Sequence, residues 1–322
     1  MKKALVISGG GSKGAFAGGV AQYLLENEEK KYDLFLGTST GSLMVSHLAL
    51  GMVDELKDIY SNVSQRTIFN ISPFKTKKVA GEKVVSINHF NTIRNFLRGK
   101  KTFGESKNLL RFIKKYLTKN MYDEIRQNNK EVIVTVSNLT TNHIEYKSIN
   151  DTSYDDFCEW IWGSCNYVPF MSLLEKNFCQ YADGGFGSLA PIREAILRGA
   201  TEIDAIILET EVTQFNKLHS KNPFSLLFDV FDFMLTHVER HNITIGKLAA
   251  KNKDVKLNLY YTPTVLTTNS LVFDNKLMRK WWQSGLDYAR LKEKGKMSEF
   301  RPHVLTDQEM DKGLNDVKQL NV

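Results

Sequence analysis

The segment Tyr32-Asp-Leu-Phe-Leu-Gly37-Thr38-Ser39-Thr40-Gly41-Ser-Leu-Met44 constrains this chain more than any other stretch: an apolar run, a serine with glycine two residues away on each side, then the start of a helical pattern. A strand that reverses into a helix through one residue strains the backbone there. It also brings the flanking residues so close to neighbouring chain that side chains on them collide. Gly37 and Gly41 remove those side chains. The turn exposes Ser39 at a strand's carboxyl end and at the positive end of the next helix, where developing negative charge is favoured. An ordinary glycine-rich strand-to-helix connection is the competing reading.

A second glycine cluster has the same layout. Lys3-Ala-Leu-Val-Ile7 is a short apolar run, Ser8-Gly9-Gly10-Gly11-Ser12-Lys13-Gly14 follows, and a helical pattern continues through Phe16, Val20 and Leu24. Consecutive glycines leave the amides of Gly10, Gly11 and Ser12 unobstructed, which suits a nest of donors aimed at an anion. In acyl transfer that anion is the oxygen of a tetrahedral intermediate. The same letters satisfy Gly9-x-Gly11-x-x-Gly14, a dinucleotide fingerprint. That fingerprint needs an acidic residue at the end of the second strand. Here Asp33 stands at the strand's start and Ser39 at its end. A Walker loop is excluded because Ala15, not lysine, follows Gly14.

The third feature is Phe178-Cys-Gln-Tyr-Ala-Asp183-Gly184-Gly185, an apolar run ending in an Asp-Gly pair. Alone it reads as a hairpin turn. Beside a serine nucleophile, a carboxylate at a strand end can also serve as the base, with Gly184 and Gly185 permitting close approach.

Together these segments resemble the patatin-like phospholipases, lipid acyl hydrolases that use a Ser-Asp dyad. Three motifs stand in the family's order: Gly9 to Gly14, Gly37 to Gly41, and Asp183 to Gly185. A fourth, Gly163-Ser164-Cys165-Asn166-Tyr167-Val168-Pro169-Phe170, resembles the family's small-residue segment that leads to a proline and lines the site, with Cys165 and Asn166 departing from its usual form. Lys13 stands where many relatives carry arginine. The resemblance covers roughly residues 3–210. It implies a three-layer α/β sandwich with a mainly parallel sheet and helices on both faces. It further implies Ser39 as nucleophile, Asp183 as base, and Gly9, Gly10, Gly11, Ser12, Lys13 and Gly14 as the oxyanion loop. Gly37, Gly41, Gly184 and Gly185 support the elbow and the loop. No cofactor or metal is implied. A Ser-His-Asp hydrolase matches the order of Ser39, Asp183 and then His241 or His303. It requires several strands ahead of the elbow, whereas one precedes here, and both histidines sit in polar stretches.

With 322 residues, 42% hydrophobic and 25% charged, the chain can bury a sizeable core. We expect a catalytic domain over 1–210 and an extension over 211–322 packed on it. Cys158, Cys165 and Cys179 match no metal spacing and read as thiols in a reducing compartment. The short apolar run after Met1-Lys-Lys is too brief for a signal sequence, and no spanning helix is expected, so the expected location is cytoplasmic. Strands alternate with helices, giving a parallel sheet. Helices are expected at Val53 to Asn62, Asn91 to Arg98, Asn108 to Leu117, Tyr154 to Trp162 and Pro191 to Arg198. Strands are expected at Glu131 to Val136, His143 to Ile149 and Ile203 to Leu208. Residues 64–105 are poorly patterned.

Net charge is +7, and Lys75, Lys77, Lys78, Lys83, Arg94, Arg98, Lys100 and Lys101 crowd one stretch. This is either a solvated basic face or a contact for an anionic membrane surface; no nucleic-acid motif accompanies it. The phenylalanine-rich segment Pro223 to Leu235 suits a membrane interface, a cap over an acyl pocket, or a core helix. Asp229 and Asp232 without lysine favour the core. The expected function is a serine lipid acyl hydrolase acting through an acyl-enzyme on a phospholipid or related acyl lipid. The alternatives are an acyltransferase of the same fold or a non-catalytic lipid- or dinucleotide-binding module.

Overall fold

The computed structural model describes residues 1–79, 82–212, 223–267, 269–271 and 273–299. In chain order the elements are β1 (Lys2–Ile7), α1 (Gly14–Gln22), β2 (Leu34–Thr38), α2 (Thr40–Ala49), α3 (Val53–Asn62), α4 (Gln65–Ile68), β3 (Phe74–Val79), β4 (Glu82–Ile87), α5 (His89–Leu97), α6 (Lys107–Tyr116), α7 (Lys119–Gln127), β5 (Glu131–Asn138), β6 (His143–Ser148), α8 (Tyr154–Ser164), β7 (Leu174–Lys176), β8 (Cys179–Asp183), α9 (Ile192–Leu197), β9 (Ala200–Thr210), α10 (Pro223–Asn252), β10 (Lys256–Thr262) and α11 (Asn275–Glu293).

Eight strands form one sheet in the order β10-β9-β1-β2-β5-β8-β7, with β6 also on β5. The pairs β10–β9, β9–β1, β1–β2 and β2–β5 are parallel, while β6 and β8 run antiparallel to β5. Strand side chains alternate between faces, and the alternation divides the core in two. Leu5, Ile7, Phe35, Val132, Val134 and Leu208 enter one cluster with α1, α2, α3, α6, α7, α8 and α11. Ala4, Val6, Leu34, Leu36, Ile133 and Ile207 enter the other with α9 and the carboxyl half of α10. A mostly parallel sheet flanked by helices on both faces is the expected three-layer architecture. Beyond Thr210 the chain returns to the same sheet, where β10 pairs with β9 in parallel register. α11 packs so closely on α1 that a Cβ on Gly19 would lie 1.9 Å from the carbonyl oxygen of Trp282.

The pairing of β5 positions the site. On one edge β5 takes β6 along residues 133–138. The other edge is shared: β2 occupies it up to Thr38 opposite Thr135, and β8 occupies it from Asp183 opposite Val136. Because β2 runs parallel and β8 antiparallel to β5, their carboxyl ends meet head to head on adjacent residues of one strand. Ser39 and Asp183 are the residues at that junction.

The competing hairpin reading of the Asp183 segment does not hold: the hairpin turn lies ahead of β8, at Asn177 and Phe178, both with positive φ, and joins β7 to β8. Asp183 instead leads into a short 3₁₀ turn, Gly184–Phe186. The amino half of α10 is not a core helix: from Leu226 to Leu235 no side chain is buried, and Leu227, Phe228 and Phe231 only lean on the first cluster. Polar and basic residues 64–105, expected to hold one short helix, contain α4, the β3–β4 hairpin and α5. Local hydrogen bonding shaped them, as in the reciprocal Ser64–Thr67 cap.

Candidate active site

Ser39 adopts φ 53° and ψ −119° as the residue ahead of α2, the strained elbow that its sequence demands. The cost is offset by the packing on both sides. A Cβ on Gly37 would lie 2.3 Å from the Gly41 carbonyl carbon, and one on Gly41 2.3 Å from the Ile7 oxygen. Three neighbours hold the Ser39 backbone. Ser164 Oγ accepts from its amide at 3.0 Å, while Ser42 Oγ and Cys165 Sγ donate to its carbonyl at 2.6 and 3.1 Å.

Asp183 is 4% exposed. Its Oδ1 accepts from the Gly185 amide at 2.8 Å. Burial pushes the carboxyl up to about 7, with the Gly185 hydrogen bond and the nearby Ser39 hydroxyl opposing the shift. Its own amide donates to Asn166 O at 3.0 Å, and Asn166 Oδ1 accepts from Ser106 Oγ at 2.6 Å. The segment Gly163 to Phe170 thus grips both halves of the site, Ser164 and Cys165 at the serine and Asn166 at the aspartate. Sequence reasoning noted Cys165 and Asn166 as departures and missed this clamping role, whose only local signal is their spacing ahead of Asp183.

The glycine loop abuts the serine: a Cβ on Gly9 would lie 3.2 Å from Ser39 Cβ and 2.3 Å from Leu189 Cδ1. Its amides do not all remain open. Gly9 N donates to Leu189 O, Ser12 N to Ser270 O, Lys13 N to Gly10 O, and Gly14 N to Gly11 O and Ser12 O. The amides of Gly10 and Gly11 make no hydrogen bond among the described residues. Six expected loop positions therefore narrow to two available donors, with Gly11 held at φ +55°. Lys13 is buried and its ammonium is ion-paired with Glu209. Burial disfavours that charge, but Glu209 outweighs it and raises the lysine pKa. Glu239 of α10 is buried beside this pair; burial, then Glu209, pushes its carboxyl up to about 8 while Lys13 opposes.

An aromatic wall adjoins the aspartate. Phe186 stacks on Tyr167 at 5.6 Å, Tyr167 on Phe170 at 5.8 Å, and Phe170 on Phe228 of α10 at 3.9 Å. Phe231 lies 5.9 Å from Phe186, and Leu235 approaches Gly185. His241 is exposed on α10, and His303 lies outside the described residues. Among the described residues no histidine bonds to Asp183, no group of His, Cys, Asp and Glu could hold a metal ion, and no helix is long and apolar enough to cross a membrane.

No curated protein matches the chain in sequence. In three dimensions it is similar to the crystal structure of VipD from Legionella pneumophila, at 12% identity and a TM-score of 0.47 over 92% of this chain and 67% of that one. The model of the patatin-like phospholipase family matches residues 5–196. That span takes in the glycine loop, the serine elbow and the aspartate turn, so the chain belongs to the patatin-like phospholipases, a family of lipid acyl hydrolases.

Proposed function

We propose that this protein is a serine lipid acyl hydrolase in which Ser39 and Asp183 act as a dyad. The observation that carries the reading is the head-to-head meeting of β2 and β8 on β5, which brings Ser39 beside the buried Asp183 carboxylate and the two amides unclaimed among the described residues. Ser39 Oγ attacks the ester carbonyl carbon as its proton passes to Asp183. The carbonyl oxygen becomes an oxyanion facing the Gly10 and Gly11 amides; removing one such donor typically costs about 3 to 4 kcal/mol of transition-state stabilisation. Collapse breaks the bond to the alcohol, which leaves with the proton from Asp183, and the acyl group stays on Ser39. Asp183 then takes a proton from water, whose oxygen attacks the acyl carbon; the bond to Ser39 Oγ breaks, Asp183 returns the proton to that oxygen, and the free acid leaves. Support for a lipid substrate comes from the family and from the aromatic wall of Tyr167, Phe170, Phe186, Phe228 and Phe231, which suits an acyl chain.

The carboxyl at about 7 is matched to base catalysis near neutral pH. Only the ionised form accepts a proton, so the rate rises as pH increases through that value.

The test is intact-mass labelling with a lipid-like fluorophosphonate on wild type, Ser39→Ala, Asp183→Asn, His241→Ala and His303→Ala. One adduct at Ser39, lost in the first two variants and kept in both histidine variants, is the expected result. Loss of labelling on replacing either histidine overturns the dyad in favour of a triad, and failure of folded wild type to label overturns the enzyme reading.

A further inference from the structure

Helix α5 is built the wrong way round for a free surface. Its inward side chains are polar: Thr92 and Asn95 are buried, and Thr92 Oγ1 and Asn95 Oδ1 have no hydrogen-bond partner among the described residues. Its outward side chains are apolar, with Phe90 72%, Ile93 57%, Phe96 78% and Leu97 78% exposed. At the helical period these four share about a third of the circumference. Arg94 and Arg98 adjoin them, exposed and without an ion pair among the described residues. Burying polar atoms without partners is costly, and so is a contiguous apolar face in water. The next helix, α6, has the ordinary arrangement, with Leu109 and Ile113 buried and Lys107, Arg111, Lys114 and Lys115 exposed. The inversion is therefore not shared by the neighbouring helix α6 and makes sense when the outer face of α5 has a partner.

That face is tied to the site. Asn91 Nδ2 donates to Ser72 O at 2.9 Å and Asn95 Nδ2 to Phe103 O at 3.1 Å. The rings of Phe74 and Phe103 pack on Phe170 at 6.1 and 5.9 Å, within the aromatic wall. The α10 helix, which meets Phe74 and Phe170 through Phe228, also exposes Leu226, Val230, Phe233 and Met234.

We propose that the face of α5 formed by Phe90, Ile93, Phe96 and Leu97, flanked by Arg94 and Arg98, docks this protein onto an anionic lipid bilayer. Apolar side chains enter the acyl boundary while the two guanidinium groups meet the headgroup phosphates and carboxylates. Arg94 and Arg98, without an ion pair among the described residues, favour this occupant over an apolar protein groove or a second copy of the chain, whose own α5 would bring like charges together. What docking achieves rests on the acyl-hydrolase reading, since it sets the aromatic wall against the substrate phase; docking itself needs no turnover.

The experiment is co-sedimentation of the Ser39→Ala protein with phosphatidylcholine vesicles, with and without phosphatidylserine. It is repeated after Phe90→Ser with Phe96→Ser, and after Arg94→Gln with Arg98→Gln. Binding to the phosphatidylserine vesicles is expected to fall about tenfold or more for each pair. The arginine pair loses the preference for phosphatidylserine. With Ser39 intact, both pairs keep the wild-type melting curve and the wild-type rate on a soluble short-chain ester. If the parent binds no vesicle, or both variants bind unchanged, the proposal is overturned. It is also overturned if gel filtration finds a dimer that the phenylalanine variant dissociates, because the face then belongs to a second copy. If the protein with Ser39 intact cleaves no ester while vesicle binding still follows α5, the catalytic reading fails and the docking surface stands.

Discussion

The floor of the site and its cover are made by opposite means. On the floor, Asp183 is buried and Ser39, Gly10 and Gly11 are only partly exposed, and their backbones are fixed by hydrogen bonds and by contacts that leave no space for a single methyl group. The cover, formed by the amino half of α10 and the hairpin and helix around α5, holds its place with partly buried rings and exposes apolar side chains. Chemistry at one carbonyl carbon needs donors and base fixed to a fraction of an ångström. An apolar chain is recognised by area, which tolerates looser packing. Changes to the floor should therefore abolish turnover on every substrate, whereas changes to the cover should separate long-chain from short-chain substrates.

The largest effect is expected for Ser39→Ala, which should lower the rate on any ester by about a thousandfold or more, measured by acid release. A residual rate near wild type would remove Ser39 from the mechanism. Next is Asp183→Asn, which should leave less than about a tenth of wild-type rate and flatten the rise through pH 7. The same substitution should raise thermal stability at neutral pH. Between the ordinary carboxyl value of 3.8 and about 7, folded Asp183 holds a proton that the unfolded chain has released, so wild-type stability falls as pH rises across that window. Above the window the cost approaches about 4 kcal/mol, and asparagine avoids it. A lower melting temperature for the asparagine variant at pH 8 would contradict this.

Gly41→Ala should act on the fold. Its Cβ meets the Ile7 oxygen at 2.3 Å, backbone that cannot move without displacing β1. A loss of about 1–3 kcal/mol in chemical denaturation, with activity falling in parallel, is expected. A smaller effect belongs to the cover. Phe228→Ala should reduce kcat/KM for a long-chain ester by about tenfold and leave a short-chain ester within about twofold. Equal losses on both substrates would place Phe228 with the floor.

Much of the floor was legible in the sequence because each part is local. A turn such as Gly37-Thr38-Ser39-Thr40-Gly41 and a run such as Gly9-Gly10-Gly11 announce tight backbone through residue type alone, and the Ser39 elbow and the Gly9 contact follow. Asp183 was legible as a strand-end carboxylate, but the hairpin that precedes its strand was not, because Asn177 and Phe178 form it and phenylalanine at positive φ gives no such signal. The amide count was not legible either. Whether Ser12 N faces an anion or Ser270 O depends on residues far apart in the chain. The inversion of α5 escaped for the same reason: Asn91 to Arg98 reads as a short helix, and its periodicity does not say which face meets the body of the protein.

The sequence by itself determined the chemistry available to this protein and the two strand-turn-helix units that present it, since both depend on contacts within a few residues and on glycine having no side chain. Only the tertiary structure decided that this chemistry becomes one site. β5 accepts β2 along one part of an edge and an oppositely directed β8 along the next, so that Thr38 and Asp183 face adjacent residues, Thr135 and Val136. Strand pairing and direction are set by which faces can be buried together across the whole sheet, and no local stretch of chain contains that information.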